Sequence, residues 1–222
     1  MFENFKRLPQ AEQDRILTIC LEEFAQHGFQ RASTNTIVAR AGIPKGTLFF
    51  YFGSKKDLCL YLLDTVIARF TTWIKERAGD PPDELFERLL ENHRVKMEFV
   101  IKEPLAYQFL YNTFVSMPPE LKDDLARRIP QYTSLSSRNL LQGLDPGRFR
   151  KGVDPVKAVQ LIHLMLEGIF ARHLPRFSRM GPDESLKLLD ELTEEVKEYF
   201  ELIKHGIYHP THETSNDRPS SE

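Results

Sequence analysis

The sequence predicts an all-helical protein of about nine helices, and three observations carry that expectation. Apolar residues recur at alternating spacings of three and four along most of the chain, the period of a helix with one buried face. Gly and Pro stand mainly between these periodic stretches, not inside them. No stretch shows the alternation of a half-buried strand.

Each element has its own signals. Ile16, Leu17, Cys20, Leu21 and Phe24 form the first stripe, with Gly28 as the expected C-terminal cap. Ser33 is the N-cap expected for a short helix over 34–41, which Gly42 stops. Pro44 opens the next, about 44–51, because a missing N–H costs little in a first turn. Gly53 breaks it. Ser54 then caps a long helix reaching about Arg77, with Leu58, Tyr61, Leu62, Ile67 and Phe70 among its apolar positions. Further helices are expected at about 83–102, 104–116, 119–142, 155–174 and 183–206, bounded by Pro- or Gly-containing breaks at 78–82, Pro104, the Pro118-Pro119 pair, 143–155 and the Gly181-Pro182 pair. The polar, Pro- and Ser-containing residues 209–222 read as a disordered tail. The expected organisation is a small unit over 1–56, a larger one over 57–208 and that tail.

Composition excludes several classes. Hydrophobic content of 41% and charged content of 28% are ordinary for a globular chain, and the net charge of −2 argues against general coating of a polyanion. The charge is uneven: residues 1–56 carry eight Lys/Arg against five Asp/Glu, and the rest carry 22 against 27. Cys20 and Cys59 both lie among apolar helical residues, so neither a disulfide framework nor a metal-binding Cys pair is expected, and a reducing cytoplasm fits. The N-terminus lacks the apolar core of a signal peptide, and no run is apolar enough to span a membrane.

The most informative stretch is RASTNTIVARAGIPKGTLFFYFGSKK, residues 31–56, with five Lys/Arg and no Asp or Glu. It places two short helices about Gly42, the layout of a DNA-reading helix-turn-helix. Ile37, Ala41, Ile43 and Leu48 supply the apolar contact between them. Lys45, Gly46, Thr47, Phe50 and Tyr51 fall on or near the outer face of the second helix. A glycine at position 46 is a poor helix former, and close approach of another surface is one reason to keep it.

STNTIVARAGIPKGTLFFYFGSKKDL resembles the DNA-binding signature of the TetR family of bacterial repressors, and ILTICLEEFAQHGF is similar to that family's first helix. The resemblance covers about Arg15 to Leu63. It implies that Ser33, Thr34 and Thr36 meet phosphate, that Lys45, Gly46 and Thr47 open the recognition helix, and that Tyr51 and Lys55 clamp the backbone. Phe49 and Phe50 depart from the family's usual Tyr and His; Phe50 would contact a thymine methyl group or cover apolar surface. The resemblance implies a homodimeric, one-component repressor on a palindromic duplex, with a variable second domain for a small-molecule effector.

Other chemistry is sparse. His163 and Glu167 share a helix face and His93 could approach them, but two ligands and a third by conjecture do not make a metal site. No phosphate-cradling Gly loop, nucleophile elbow or distinctive carboxylate pair appears, so no cofactor and no catalysis are expected. Trp73, Phe99, Tyr107, Tyr111 and Phe114 are either core or the lining of a pocket for an apolar or amphipathic effector. Val159, Ile162 and Leu166, with Leu189, Leu192, Val196 and Tyr199, form stripes on the last two long helices, expected to meet their mates in a four-helix dimer interface or else to be buried within one subunit. Rival readings are a DNA-binding adaptor answering to a protein partner, and an enzyme that reuses a helical fold.

Overall fold

The computed structural model of the protein describes residues 2–77, 82–130, 149–177 and 180–205. Ten helices are described: α1 (Glu3–Lys6), α2 (Gln10–Arg31), α3 (Thr34–Ala41), α4 (Lys45–Phe52), α5 (Lys55–Arg77), α6 (Leu85–Lys102), α7 (Pro104–Ser116), α8 over 122–130 after a short turn at Pro119–Leu121, α9 (Pro155–Phe177) and α10 (Pro182–His205). The rest of the helix expected to 142, the 78–81 part of the break and the tail from His209 lie outside the described residues.

Local chemistry sets the elements. Ser33 Oγ accepts from the Thr36 N–H at 3.2 Å and Gly42 sits at φ +62°, so α3 begins and ends where its cap and its left-handed glycine dictate. Ser54 Oγ accepts from the Asp57 N–H at 3.0 Å and donates to its carboxylate at 2.6 Å, a reciprocal cap for α5. Pro44 proves to be the N-cap of α4, one position outside the helix it was expected to open. Gly28, at φ +66°, breaks the regular course of α2, and one more turn follows to Arg31.

α1 was not foreseen. Phe5 is fully buried and Phe2 partly, their rings meeting Tyr61 and Phe52 at 4.6–6.1 Å between centroids. Tyr51 also packs edge-on against Phe5 at 5.8 Å. The N-terminus is thereby fixed to the helix-turn-helix.

Two apolar cores result, and they do not divide at residue 56. One joins Phe5, Ile16, Phe24, Ile37, Leu48, Phe52 and Leu58 to Phe99, Phe109, Leu121 and Leu125, so the N-terminal helices share a core with α6, α7 and α8. The other holds α6, α9 and α10 together through Leu89, Met97, Ile162, Leu166, Leu189, Leu192 and Val196. The most extensive helix pair among the described residues is α2 with α7. There Phe109 meets Phe24 at 6.2 Å, and Asn112 Nδ2 donates to the Ala25 carbonyl at 2.8 Å.

The stripes proposed for a dimer surface are corrected by this packing. Ile162, Leu166, Leu189, Leu192 and Val196 are buried inside one subunit, and Val159 and Tyr199 pack partly buried against the same core. A helix has only one stripe at that register, and α6, α9 and α10 use it on each other. The large apolar residues left exposed on these helices, among the described residues, are Val156, Leu161 (58%), Leu164 (64%) and Leu202.

Candidate nucleic-acid interface

The two short helices are held from behind. Glu23 lies on the buried side of α2, and its carboxylate accepts the Ser33 N–H at 2.8 Å, fixing where the chain turns into α3. Arg15 donates to the Ala41 carbonyl at 2.8 Å and so satisfies the end of α3. Sequence reading missed both residues. A carboxylate between Leu21 and Phe24, on the apolar side of the helix, was the available signal for Glu23.

The outward side then carries the expected groups. Thr36, Lys45 and Gly46 are exposed, Ser33, Thr34, Thr47 and Tyr51 are half-buried, and Phe50 is 66% exposed. A Cβ on Gly46 would meet nothing within 4 Å, so nothing in the subunit itself requires a glycine there. Tyr51 splits its roles, its ring packed on Phe5.

The run's freedom from negative charge does not survive folding. Arg40 forms an ion pair with Glu22, and Lys56 one with Asp124 at 2.6 Å. The Lys56 ammonium, with Arg127, holds the Asp124 carboxyl below its usual range by hydrogen bonding. Lys55, expected to clamp phosphate, donates to the Gln30 carbonyl at 3.0 Å and lies 5.0 Å over the Phe29 ring. Of the five cations, Arg31 and Lys45 alone make no ion pair or side-chain hydrogen bond among the described residues. Lys45, exposed at the start of α4, is therefore the cation of the recognition helix left uncommitted among the described residues.

Away from this face, the five aromatic residues expected to line a pocket are dispersed. Phe99 is core, edge-on to Phe70 and Trp73, and the indole N–H donates to the Val95 carbonyl at 3.1 Å. Tyr107 and Tyr111 stand 6.2 Å apart, with Tyr111 half-exposed, and Phe114 packs against the first core. Two grooves are open instead: about 480 Å³ between α6 and α10, and about 410 Å³ between the end of α2 and α7. Neither is lined by those five residues.

His163 Nε2 lies 3.0 Å from the Glu167 carboxylate, as their spacing suggested, and His163 is near enough to His93 to disfavour its charge. The Lys96 ammonium stands close to both His93 and Glu167, and among the described residues no group of three or more His, Cys, Asp or Glu is placed to hold a metal ion. Cys20 and Cys59 are buried free thiols, which desolvation pushes up to about 12. No helix among the described residues is long and apolar enough to cross a membrane.

A two-helix unit hinged at a left-handed glycine, with hydroxyls at one N-terminus and Lys-Gly-Thr at the next, defines a helix-turn-helix DNA-binding regulator. Residues 16–62 match the sequence profile of bacterial regulatory proteins of the tetR family. Residues 16–62 thus form a DNA-binding domain of the TetR type found in bacterial transcriptional regulators. It is 22% identical over 158 residues to the fatty acid metabolism regulator protein of Bacillus subtilis (strain 168), covering 67% of this chain and 76% of that one. Other relatives, HTH-type transcriptional regulators, align over only 34–36% of their own length.

In fold it is similar to a TetR family transcriptional regulator from Chloroflexus aurantiacus J-10-fl, with a TM-score of 0.70, 23% identity and 94% of this chain covering 98% of that one. It is also similar to the transcriptional regulator FadR from Bacillus subtilis in complex with stearoyl-CoA, with a TM-score of 0.53, 21% identity and coverage of 88% and 99%.

Proposed function

We propose that the protein is a homodimeric repressor that a mostly apolar small molecule releases from a palindromic operator. The observation that carries the reading is the shared core. α7 packs on α2 through Phe109 on Phe24 and Asn112 on the Ala25 carbonyl, and the Lys56–Asp124 pair ties the start of α5 to α8. Any shift of α7 or α8 around a ligand is therefore passed to the helices that set α3 and α4. The reading unit is taken to end near residue 56 in function, though not in packing.

Two such units need a two-fold mate. The exposed Leu161, Leu164 and Leu202 supply apolar surface on α9 and α10 for a four-helix interface. Half-sites one turn apart place the recognition helices about 34–36 Å from each other, so a small tilt is penalised. A ligand moving the population from 99:1 to 1:99 must prefer the released state by about 5.5 kcal/mol. Burying roughly 220 Å² of apolar surface in that state alone is sufficient, at about 25 cal/mol per Å². The likeness to a fatty acid metabolism regulator and to a stearoyl-CoA complex supports a lipid-like effector.

The test is release. With an operator selected from random duplexes, fluorescence anisotropy is followed as long-chain acyl compounds are added. Dissociation at micromolar ligand supports the reading. An operator complex indifferent to every such compound replaces it with regulation by a protein partner.

A further inference from the structure

His93 is the one buried side chain among the described residues with a polar atom left without a partner: it is 7% exposed and its Nε2 makes no hydrogen bond. Its ring lies 4.3 Å from that of Phe170, so α9 closes over it. An orphaned buried donor or acceptor is costly, and natural structures keep one where something else serves it. One helical turn along α6 is Lys96, which burial holds below the usual lysine range and which has no hydrogen bond or ion pair among the described residues. Glu167 is near enough to favour the Lys96 charge, yet its carboxylate bonds His163. Neither His93 Nε2 nor the Lys96 ammonium thus has a hydrogen-bond partner among the described residues.

We infer that His93 and Lys96 hold the anionic head, a carboxylate or a phosphate monoester, of an effector whose apolar part lies among α6, α7 and α9. Lys96 supplies the charge. The neutral imidazole donates from Nε2, and the ring of Phe170 keeps water from replacing the contact. Tyr107, whose hydroxyl is pushed up by burial and by the nearby Tyr111 and Glu167, remains a neutral donor at the rim. A metal ion is not a competing occupant, because the Lys96 ammonium would repel it. The inference rests on the effector reading above and specifies what that effector carries.

The experiment is calorimetric titration of the full-length protein with octanoate, dodecanoate and palmitate, each against the primary alcohol of the same length, with dodecyl phosphate as a second head. The expected result is that at least one acid or the phosphate binds about tenfold or more tightly than its alcohol, the discrimination a charge-assisted bond gives. Lys96→Met should reduce the anion to the alcohol's affinity while leaving the alcohol unchanged. Lys96→Gln is the second variant should the first not fold.

Equal affinity of anion and alcohol in the parent, or a preference surviving both variants, overturns the anionic site and leaves the apolar-effector reading standing. Failure of every compound to bind overturns both. Tighter binding of the phosphate than of dodecanoate assigns the head to a phosphate monoester.

Discussion

The two cores of this protein are built in different ways. The one behind the reading face is rich in aromatic rings, with Phe2, Phe5, Phe52 and Tyr61 in mutual contact, and is framed by caps and a left-handed glycine that leave α3 and α4 no choice of position. The core of α6, α9 and α10 is mostly leucine, isoleucine and valine, and it takes in an unsatisfied imidazole. The contrast follows from what each face must do. A surface that docks on the fixed geometry of a duplex needs its backbone determined locally. A core that only has to hold three helices together needs an apolar stripe on each, and many sequences supply one.

The largest expected effect tests whether the head's core really extends into α7. Phe109→Ala should cost about 3–5 kcal/mol, as buried Phe truncations do, and operator binding should fall in parallel with the denaturation midpoint. A variant in which α7 and the helices after it unfold early yet DNA is still read would separate what the structure joins. Next comes the surface of the second core. Leu164→Asp, on the exposed side of α9, should give helical monomers by light scattering and circular dichroism, with operator affinity down by two orders of magnitude or about that. Leu166→Asp, on the buried side, should lose helicity instead.

Acid separates the two cores further. Burial, then Lys96 and His163, hold His93 down to about 3 from its ordinary 6.5. Below that ordinary value the unfolded chain takes up a proton that the folded chain refuses, so stability is complete above it and is lost as the pH falls toward the folded value. From about pH 7 to about pH 5 the loss should be about 2 kcal/mol, and urea titration of His93→Leu should show that part of the slope removed. The smallest effect is on the reading face. Lys45→Ala should reduce the salt slope of operator binding by about one unit, for one counterion not released. Lys55→Ala should change it less, its ammonium being engaged by Gln30.

How legible each region was follows the same division. Ser33, Gly42, Gly53 and Ser54 act through their own backbone, so the bounds of α3, α4 and α5 could be read to within a residue. The charge of residues 31–56 could not be read so directly, because Glu22 and Asp124 arrive from other helices to meet Arg40 and Lys56. α1 was missed because four residues show no period, though Phe2 and Phe5 at a spacing of three were its trace. In α9 and α10, periodicity found the helices but not which side faces the subunit. A stripe of Ile162, Leu166 and Ile169 looks the same whether α10 or a second copy covers it. The spacing of His163 and Glu167 was visible, whereas the burial of His93 and Lys96 beside them depends on how three helices pack.

The most direct test is selection of duplexes bound by the protein from a random pool at physiological salt, followed by anisotropy on the enriched sequence with the parent and Lys45→Ala. The expected result is a two-fold symmetric sequence with half-site centres about one helical turn or a small multiple apart. Binding by the variant should be weaker and less salt-dependent. An unenriched pool, or an enriched sequence bound equally by parent and variant with the same salt slope, would contradict this expectation.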